Sequence, residues 1–253
     1  MIWLGLVFVL GTVALSLGIY AGARWLAGVD TPPLTGQAAS ATARRVAALH
    51  GLVLALVFAQ ELDDYADLRA DLVAEATALA NIHGDIARYD PDGAATVQQA
   101  VVDYVAHVVG EEWADRDDTQ FADGWALHER IYLAALDLDP QTPRQDSLRD
   151  AMIADAQHLA ALRQQRESTA LFGMSTLFWV AAIAGTVLVT VPYFVFPPTR
   201  ENIALLCLYS AYSGLMMFTI YAFSDPFAEP GRLAPSPFEQ LIEGEIGQRL
   251  TSG

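Results

Sequence analysis

At 253 residues, with 53% hydrophobic and 17% charged side chains and a mean hydropathy of +0.30, the chain is too apolar for an ordinary soluble domain. Its formal charge of −16 comes from 30 acids against 14 basic residues, all arginine, and no basic patch is left to meet nucleic acid. The one cysteine, Cys207, excludes an internal disulfide and any metal site built from several cysteines.

The charge is segregated. Residues 61 to 167 hold 23 acids and 8 arginines, a net of −15, which leaves −1 for all the rest. A pI near 4.4 and the complete absence of lysine fit a carboxylate-rich surface adapted to high salt, the composition of a halophile, although GC-rich coding would also replace lysine by arginine. Around this acidic block lie uncharged runs long enough to cross a bilayer.

The first run, Ile2 to Ala23, exceeds the roughly 20 residues that a spanning helix needs. It lacks a positive n-region, and its nearest cation, Arg24, follows the apolar stretch. It therefore reads as a retained span rather than a cleaved signal, despite an Ala21-Gly22-Ala23 site. Gly18 and Gly22 have the spacing of a small-residue helix contact, although glycine is common in membrane helices anyway. Val46 to Gln60 is shorter, covers only ~22 Å as a helix and contains His50. Arg44 and Arg45 can snorkel at one end. At the other end no Gly or Pro interrupts residues 52 to 72, so one helix is predicted to leave the lipid near Gln60 and continue into water.

The acidic block reads as four helices. Tyr65, Leu68, Leu72, Ala76, Leu79 and His83 recur at helical spacing. After "YDPDG", with Asp90 placed to cap and Pro91 in a first turn, come Val97, Val101, Tyr104, Val105 and Val108. Trp125, His128, Tyr132 and Leu136 form a third stripe. Thr142-Pro143 opens the fourth, with Leu148, Met152, Ala156, Leu159 and Leu162. Such stripes must bury against one another. Two further uncharged runs follow, Ser168 to Thr199 and Asn202 to Ser224.

The predicted fold is all-α: a polytopic membrane protein with four transmembrane helices and an extramembrane four-helix bundle inserted between the second and third. Its parts are residues 1–60 (two spans and an arginine-containing connection), 61–167 (the acidic bundle), 168–224 (two spans) and 225–253 (a C-terminal tail). The last bundle helix is expected to feed into the third span as a second stalk. Arg24, Arg44, Arg45 and Arg200 lie in very short connections on the side opposite the bundle. Arg69, Arg163, Arg166 and Arg232 equal them in number near span ends on the bundle side. The density of arginine in the short connections makes them cytoplasmic and the bundle extracytoplasmic, on a multi-pass protein of the cell membrane.

Three stretches carry a resemblance. "YADLRADLVAEATAL" contains an aromatic, an acid two residues on and a Glu-Ala pair: Tyr65, Asp67, Glu75 and Ala76. "DYVAHVVGEEW" carries Tyr104 and closes on Glu111, Glu112 and Trp113. "SDPFAEPGRLAPSPFEQL" has Asp225, Pro226 and Phe227, then Pro237 and Phe238. In order and spacing these resemble the bestrophin-like family of bacterial four-span membrane proteins, over nearly all the chain from Arg44 on. Here Asp225 directly precedes Pro226, one residue tighter than the family pattern, and the usual glycine is displaced to Gly231. The resemblance implies kinship to oligomeric anion channels.

Enzyme chemistry has little to stand on. No histidine of the five has a Glu three residues before it, as a di-iron bundle would want. Nor does "DRDDTQFADG" match a calcium loop, or any stretch a phosphate or dinucleotide fingerprint. The chain is therefore expected to be no enzyme and to hold no cofactor or metal. Two readings remain. In the first the protein is an oligomeric ion channel, with inorganic ions as partners beside the lipid bilayer. Its ion path would draw on His50, Gln60, Glu61 and Asp64 from span two, Thr186 and Thr190 from span three, and Tyr212 and Ser213 from span four. In the second it is a membrane-anchored sensor or scaffold whose acidic bundle binds a partner without transport.

Overall fold

The computed structural model describes residues 2–28, 33–113, 118–171 and 174–246. They form α1 (Ile2–Ala27), α2 (Pro33–Tyr89), α3 (Ala95–His107), α4 (Asp118–Leu136), α5 (Pro143–Leu171), α6 (Thr176–Thr190), α7 (Arg200–Phe223) and α8 (Ser236–Leu241), with no strand among the described residues. Two compact units share the chain: Met1–Tyr65 with Gly173–Arg232, and Ala66–Phe172 with Leu233–Gly253. The segment after Arg232 thus packs with the acidic helices.

In the first unit four helices are long and apolar enough to cross a membrane: Ile2–Ala27, the apolar part of Gly36–Tyr89, Thr176–Val195 and Arg200–Phe223. All-α architecture and four spans are as the sequence predicts. Their outward faces are apolar, with Val7, Leu10, Leu56, Val180 and Leu208 all exposed, as lipid-facing or partner-facing helices require. Inside, α1 packs on α7 and α6 on both. The apolar core gathers Leu54, Ala182, Met217 and Ile220 with Phe8 and Trp179 beside them. Pro192 cannot continue α6, which passes into a 3-10 turn over Val191–Val195. That turn is pinned to α1: Tyr20 Oη donates to the Phe196 carbonyl at 2.9 Å, and Arg24 Nη1 donates to the Phe194 and Phe196 carbonyls at 3.2 and 2.9 Å.

α2 is one helix of 57 residues, so the change from apolar to acidic sequence near Gln60 occurs without a break, as predicted. The second stalk differs from expectation. α5 ends at Leu171 and α6 begins separately at Thr176, where the Ser175 side chain caps it by accepting from Leu177 N at 3.2 Å. The uncharged run from Ser168 reads as one span, yet it contains a helix-starting serine, Ser175.

The second unit packs α3 on α4 and α4 on α5, with the 66–89 part of α2 alongside. Leu68, Leu72, Leu79, Val101, Tyr104, Met152, Ala156 and Leu159 are buried, on the stripes the sequence marks. α5 starts at Pro143 and Thr142 Oγ1 accepts from Gln145 N at 3.2 Å, the predicted cap. α4 is rotated by about one residue from its predicted register. Its inner face is Phe121, Gly124, His128, Ile131 and Ala135, while Leu136 lies outside. The large side chains Trp125 and Tyr132 draw attention to a neighbouring line, but it is the small ones that let the helix approach.

Candidate functional site

Five side chains from three helices of the second unit meet in its interior: Glu75 from α2, Tyr104 from α3, Glu112 from the turn that ends α3, and Arg163 and Arg166 from α5. All are buried to within 2% exposure. After His107 the helix widens into a π turn over Val108–Glu112, closed by Trp113 N donating to the Val108 carbonyl at 3.1 Å. Such widened turns are common at functional sites. Here the two neighbours Glu112 and Trp113 are both buried on separate partners.

Arg166 lies at the centre. Its Nε and Nη2 clasp Glu75 at 3.1 and 3.2 Å, and its Nη1 donates to Glu112 Oε2 at 2.9 Å. Tyr104 Oη donates to Glu75 Oε1 at 2.6 Å. Arg163 donates to Glu112 through both Nη atoms, to Tyr104 Oη at 3.3 Å and to the Phe121 carbonyl at 3.0 Å. Its guanidinium carbon sits 5.6 Å from the Tyr104 ring centroid and 5.4 Å from that of Trp125. Glu167 closes the outer edge, 3.0 Å from Arg163 and accepting from Trp125 Nε1 at 3.0 Å. His107 stands between Glu111 at 3.2 Å and Glu112 at 3.5 Å. Two carboxylates and two guanidiniums thus balance in the interior, as buried charge requires.

α4 reaches this cluster because residue 124 is glycine. A β-carbon there would lie 2.0 Å from Glu112 Oε1 and 2.2 Å from Arg163 Nη2. Burial lowers the Arg166 pKa, but Glu75, Tyr104 and Glu112 together outweigh it and hold the group above its ordinary value, charged throughout. Burial and then the Glu75 carboxylate push the Tyr104 phenol far above its ordinary 10.0, against the pull of the two guanidiniums. Chemically the arrangement is a lock. Glu75 and Glu112 are both tied up by charge-assisted hydrogen bonds, which suits holding helices and not proton transfer to a substrate.

The raised Tyr104 pKa has a direct consequence. In the unfolded chain the phenol ionises near pH 10, and in the folded protein it does not, so its contribution is intact below that pH and declines above it. The slope is about 1.4 kcal/mol per pH unit for one proton. Tyr104→Phe is expected to flatten alkaline destabilisation by that amount while costing about 1.5–3 kcal/mol at pH 7 for the bond lost by Glu75. Unfolding of the full chain followed by circular dichroism from pH 7 to 11 reads both. Equal slopes for the two proteins would refute it.

The structure therefore brings together Glu75, Tyr104 and Glu112 from the motif positions. Trp113 is buried nearby and donates from Nε1 to the Leu233 carbonyl at 2.9 Å. Asp67 is exposed on α2. In the first unit the Tyr65 ring meets Phe223 edge-on at 5.2 Å, and Asp225 accepts from Phe227 N at 3.0 Å, closing a turn that buries Pro226 and Phe227. Arg163 and Arg166, which the sequence reading counts only as charges near a span end, complete the cluster.

The ion-path candidates are dispersed. Gln60 donates to Asp64 at 2.7 Å on an exposed face, with Glu61 half-buried beside them. His50 is buried against Gly185, where a β-carbon would fall 2.1 Å from its Nδ1. Thr186 and Thr190 are buried, donating to the Ala182 and Thr186 carbonyls at 3.0 and 2.7 Å. Ser213 is buried on α7, whereas Tyr212 next to it faces outward. The acidic loop "DRDDTQFADG" falls partly outside the described residues, at 115–117.

Comparison with family models matches residues 10–238 to the one described as a bestrophin-like domain. No curated protein and no solved structure matches the chain.

Proposed function

Since the chain belongs to the bestrophin-like family, we propose that it is an oligomeric, non-enzymatic ion channel of the cell membrane, conducting along a path formed between copies. The observation that carries this reading is the closed interior of the membrane unit. Thr12, Thr186 and Ser210 donate to the carbonyls of Phe8, Ala182 and Leu206 in their own helices, and Thr190 reaches Ser16 Oγ at 3.4 Å. With these hydroxyls bonded within and between the helices, and only His50 Nε2 and Tyr209 Oη buried without a hydrogen-bond partner among the described residues of this unit, the path is drawn along surfaces outside the protomer. The exposed Gln60 and Asp64, with Glu61 between them, would ring its mouth, and Tyr212 would line it. In molar salt, where the Debye length is about 3 Å, such a ring acts on ions only at contact. Arg24 near the end of α1, Arg44 and Arg45 in the first turns of α2 and Arg200 at the start of α7 favour a cytoplasmic side there and an extracytoplasmic bundle.

Purified full-length protein in planar bilayers is expected to give unitary currents. Joint substitution Glu61→Gln and Asp64→Asn should move the reversal potential, in a salt gradient, towards the anion equilibrium. A flat trace at all voltages and in several salts, from protein shown to be folded, would overturn the channel and leave the sensor or scaffold reading.

A further inference from the structure

A groove of about 740 Å³ lies wholly within the second unit, between one face of α2 and the C-terminal segment Leu233–Gly244. Its volume is that of a small-molecule site, for which roughly 300–1,000 Å³ is usual. The floor is apolar, formed by the buried Leu72, Ala76 and Leu233. Val73, beside them, is 51% exposed. The far wall is anchored rather than loose: the Leu233 carbonyl accepts from Trp113 Nε1, and Phe238 of α8 is fully buried.

The charge at this groove is out of keeping with its surroundings. Among the described residues Arg69 is the one charged residue lining it. The positions one turn away on α2 are Tyr65, Ala66, Leu72 and Val73, so no acid on its own helix is placed to pair with it. Among the described residues no carboxylate bonds to it. In a block with almost three acids for each arginine, this one has no bonded carboxylate among the described residues and stands at the end of a groove whose apolar floor is edged by Thr77, Ser236 and Gln240.

We propose that the groove binds a single-chain anionic amphiphile, a fatty-acid carboxylate. The carboxylate would take both forks of the Arg69 guanidinium, the geometry for which arginine is suited. The alkyl chain would run along α2 over Val73 and Ala76 towards Ala80, about 16 Å of helix. Thr77 does not compete for the head, because its hydroxyl is given to the Val73 carbonyl at 2.7 Å. This site is independent of ion conduction.

The test uses the full chain in nanodiscs of zwitterionic phospholipid, photolabelled with diazirine-bearing laurate and mapped by peptide mass spectrometry. The expected result is saturable labelling in residues 69–80 and 233–244, competed by laurate and not by dodecyltrimethylammonium. Arg69→Gln should lower it about tenfold, the loss of one charge-assisted bond pair. Val73→Asp, which sets a carboxylate one turn from Arg69 to pair with it in place of the ligand, should do the same and serves where the first variant folds poorly. Labelling confined to the spans, labelling indifferent to both variants, or equal competition by the cation would each overturn the proposal. So would a cross-link joining two copies through the groove, which would make its occupant a second chain.

Discussion

Arg166→Met is expected to destabilise the second unit by about 3–5 kcal/mol, the cost of removing one partner from a buried ion pair. The substitution keeps most of the side-chain volume, so the loss is electrostatic and not a cavity. Glu75 would lose both bonds of its clasp, at 3.1 and 3.2 Å, and keep only Tyr104. Glu112 would keep Arg163 and His107, so the damage concentrates at α2. With domain stabilities of about 5–15 kcal/mol, a loss of this size lowers Tm by about 10 °C or more. The double variant Glu75→Gln with Arg166→Met should recover a good part of the loss, because it removes the stranded charge along with its partner. The double-mutant cycle would then show a coupling above about 1.5 kcal/mol. Thermal unfolding of full-length protein by circular dichroism gives each term. Should the single variant lose under about 1 kcal/mol, the cluster is not the lock its geometry describes.

The parts of the fold that were legible are those a solvent dictates. Lipid demands about 20 apolar residues in a row, and the uncharged runs announce the spans. Continuity of α2 follows from the absence of Gly and Pro across the change of solvent. The start of α6 was equally present in the sequence, as Ser175, but low charge is a coarse signal that runs straight over a cap. The cluster was half legible. Glu75, Tyr104 and Glu112 stand out through the motifs, whereas Arg163 and Arg166 look like surface charges on an acidic helix. A finer signal did exist. Met152, Ala156, Leu159, Arg163 and Arg166 continue a single line at steps of four and three, which places both arginines on the buried face. That Arg166 meets Glu75, 91 positions earlier, depends on how three helices pack, which no local pattern encodes. The register of α4 failed for a related reason: its inner line includes Gly124 and Ala135, and small residues leave little mark in a hydrophobic periodicity.

Gly214→Val is expected to separate α1 from α7 and to damage the membrane unit strongly. A β-carbon at residue 214 would lie 2.7 Å from the Phe8 carbonyl oxygen, 2.9 Å from Val9 Cα and 2.9 Å from Thr12 Oγ1. Two of those atoms are backbone, so no rotamer change relieves the contact and the helices must move. The same Phe8 carbonyl accepts from Thr12 Oγ1 at 2.7 Å, so the clash also disturbs a polar pair in the membrane interior. Between spans the holding force is close packing, since lipid tails offer no hydrophobic gain for association. Overpacking usually costs about 1–3 kcal/mol, and the branched side chain should bring valine to the top of that range or beyond, with alanine lower. Gly18→Ala provides the control, because nothing lies within 4 Å of a β-carbon there. Stability of the full chain in mixed detergent titrations should therefore rank Gly18→Ala near wild type, then Gly214→Ala, then Gly214→Val. Equal stability of all three would mean that α1 and α7 do not approach as described. The bonds from Tyr20 and Arg24 to the 194–196 turn lie well along α1 from the clash. A disulfide engineered between the Tyr20 region and that turn should consequently still form in Gly214→Val, which separates a local opening at mid-span from wholesale loss of the helix.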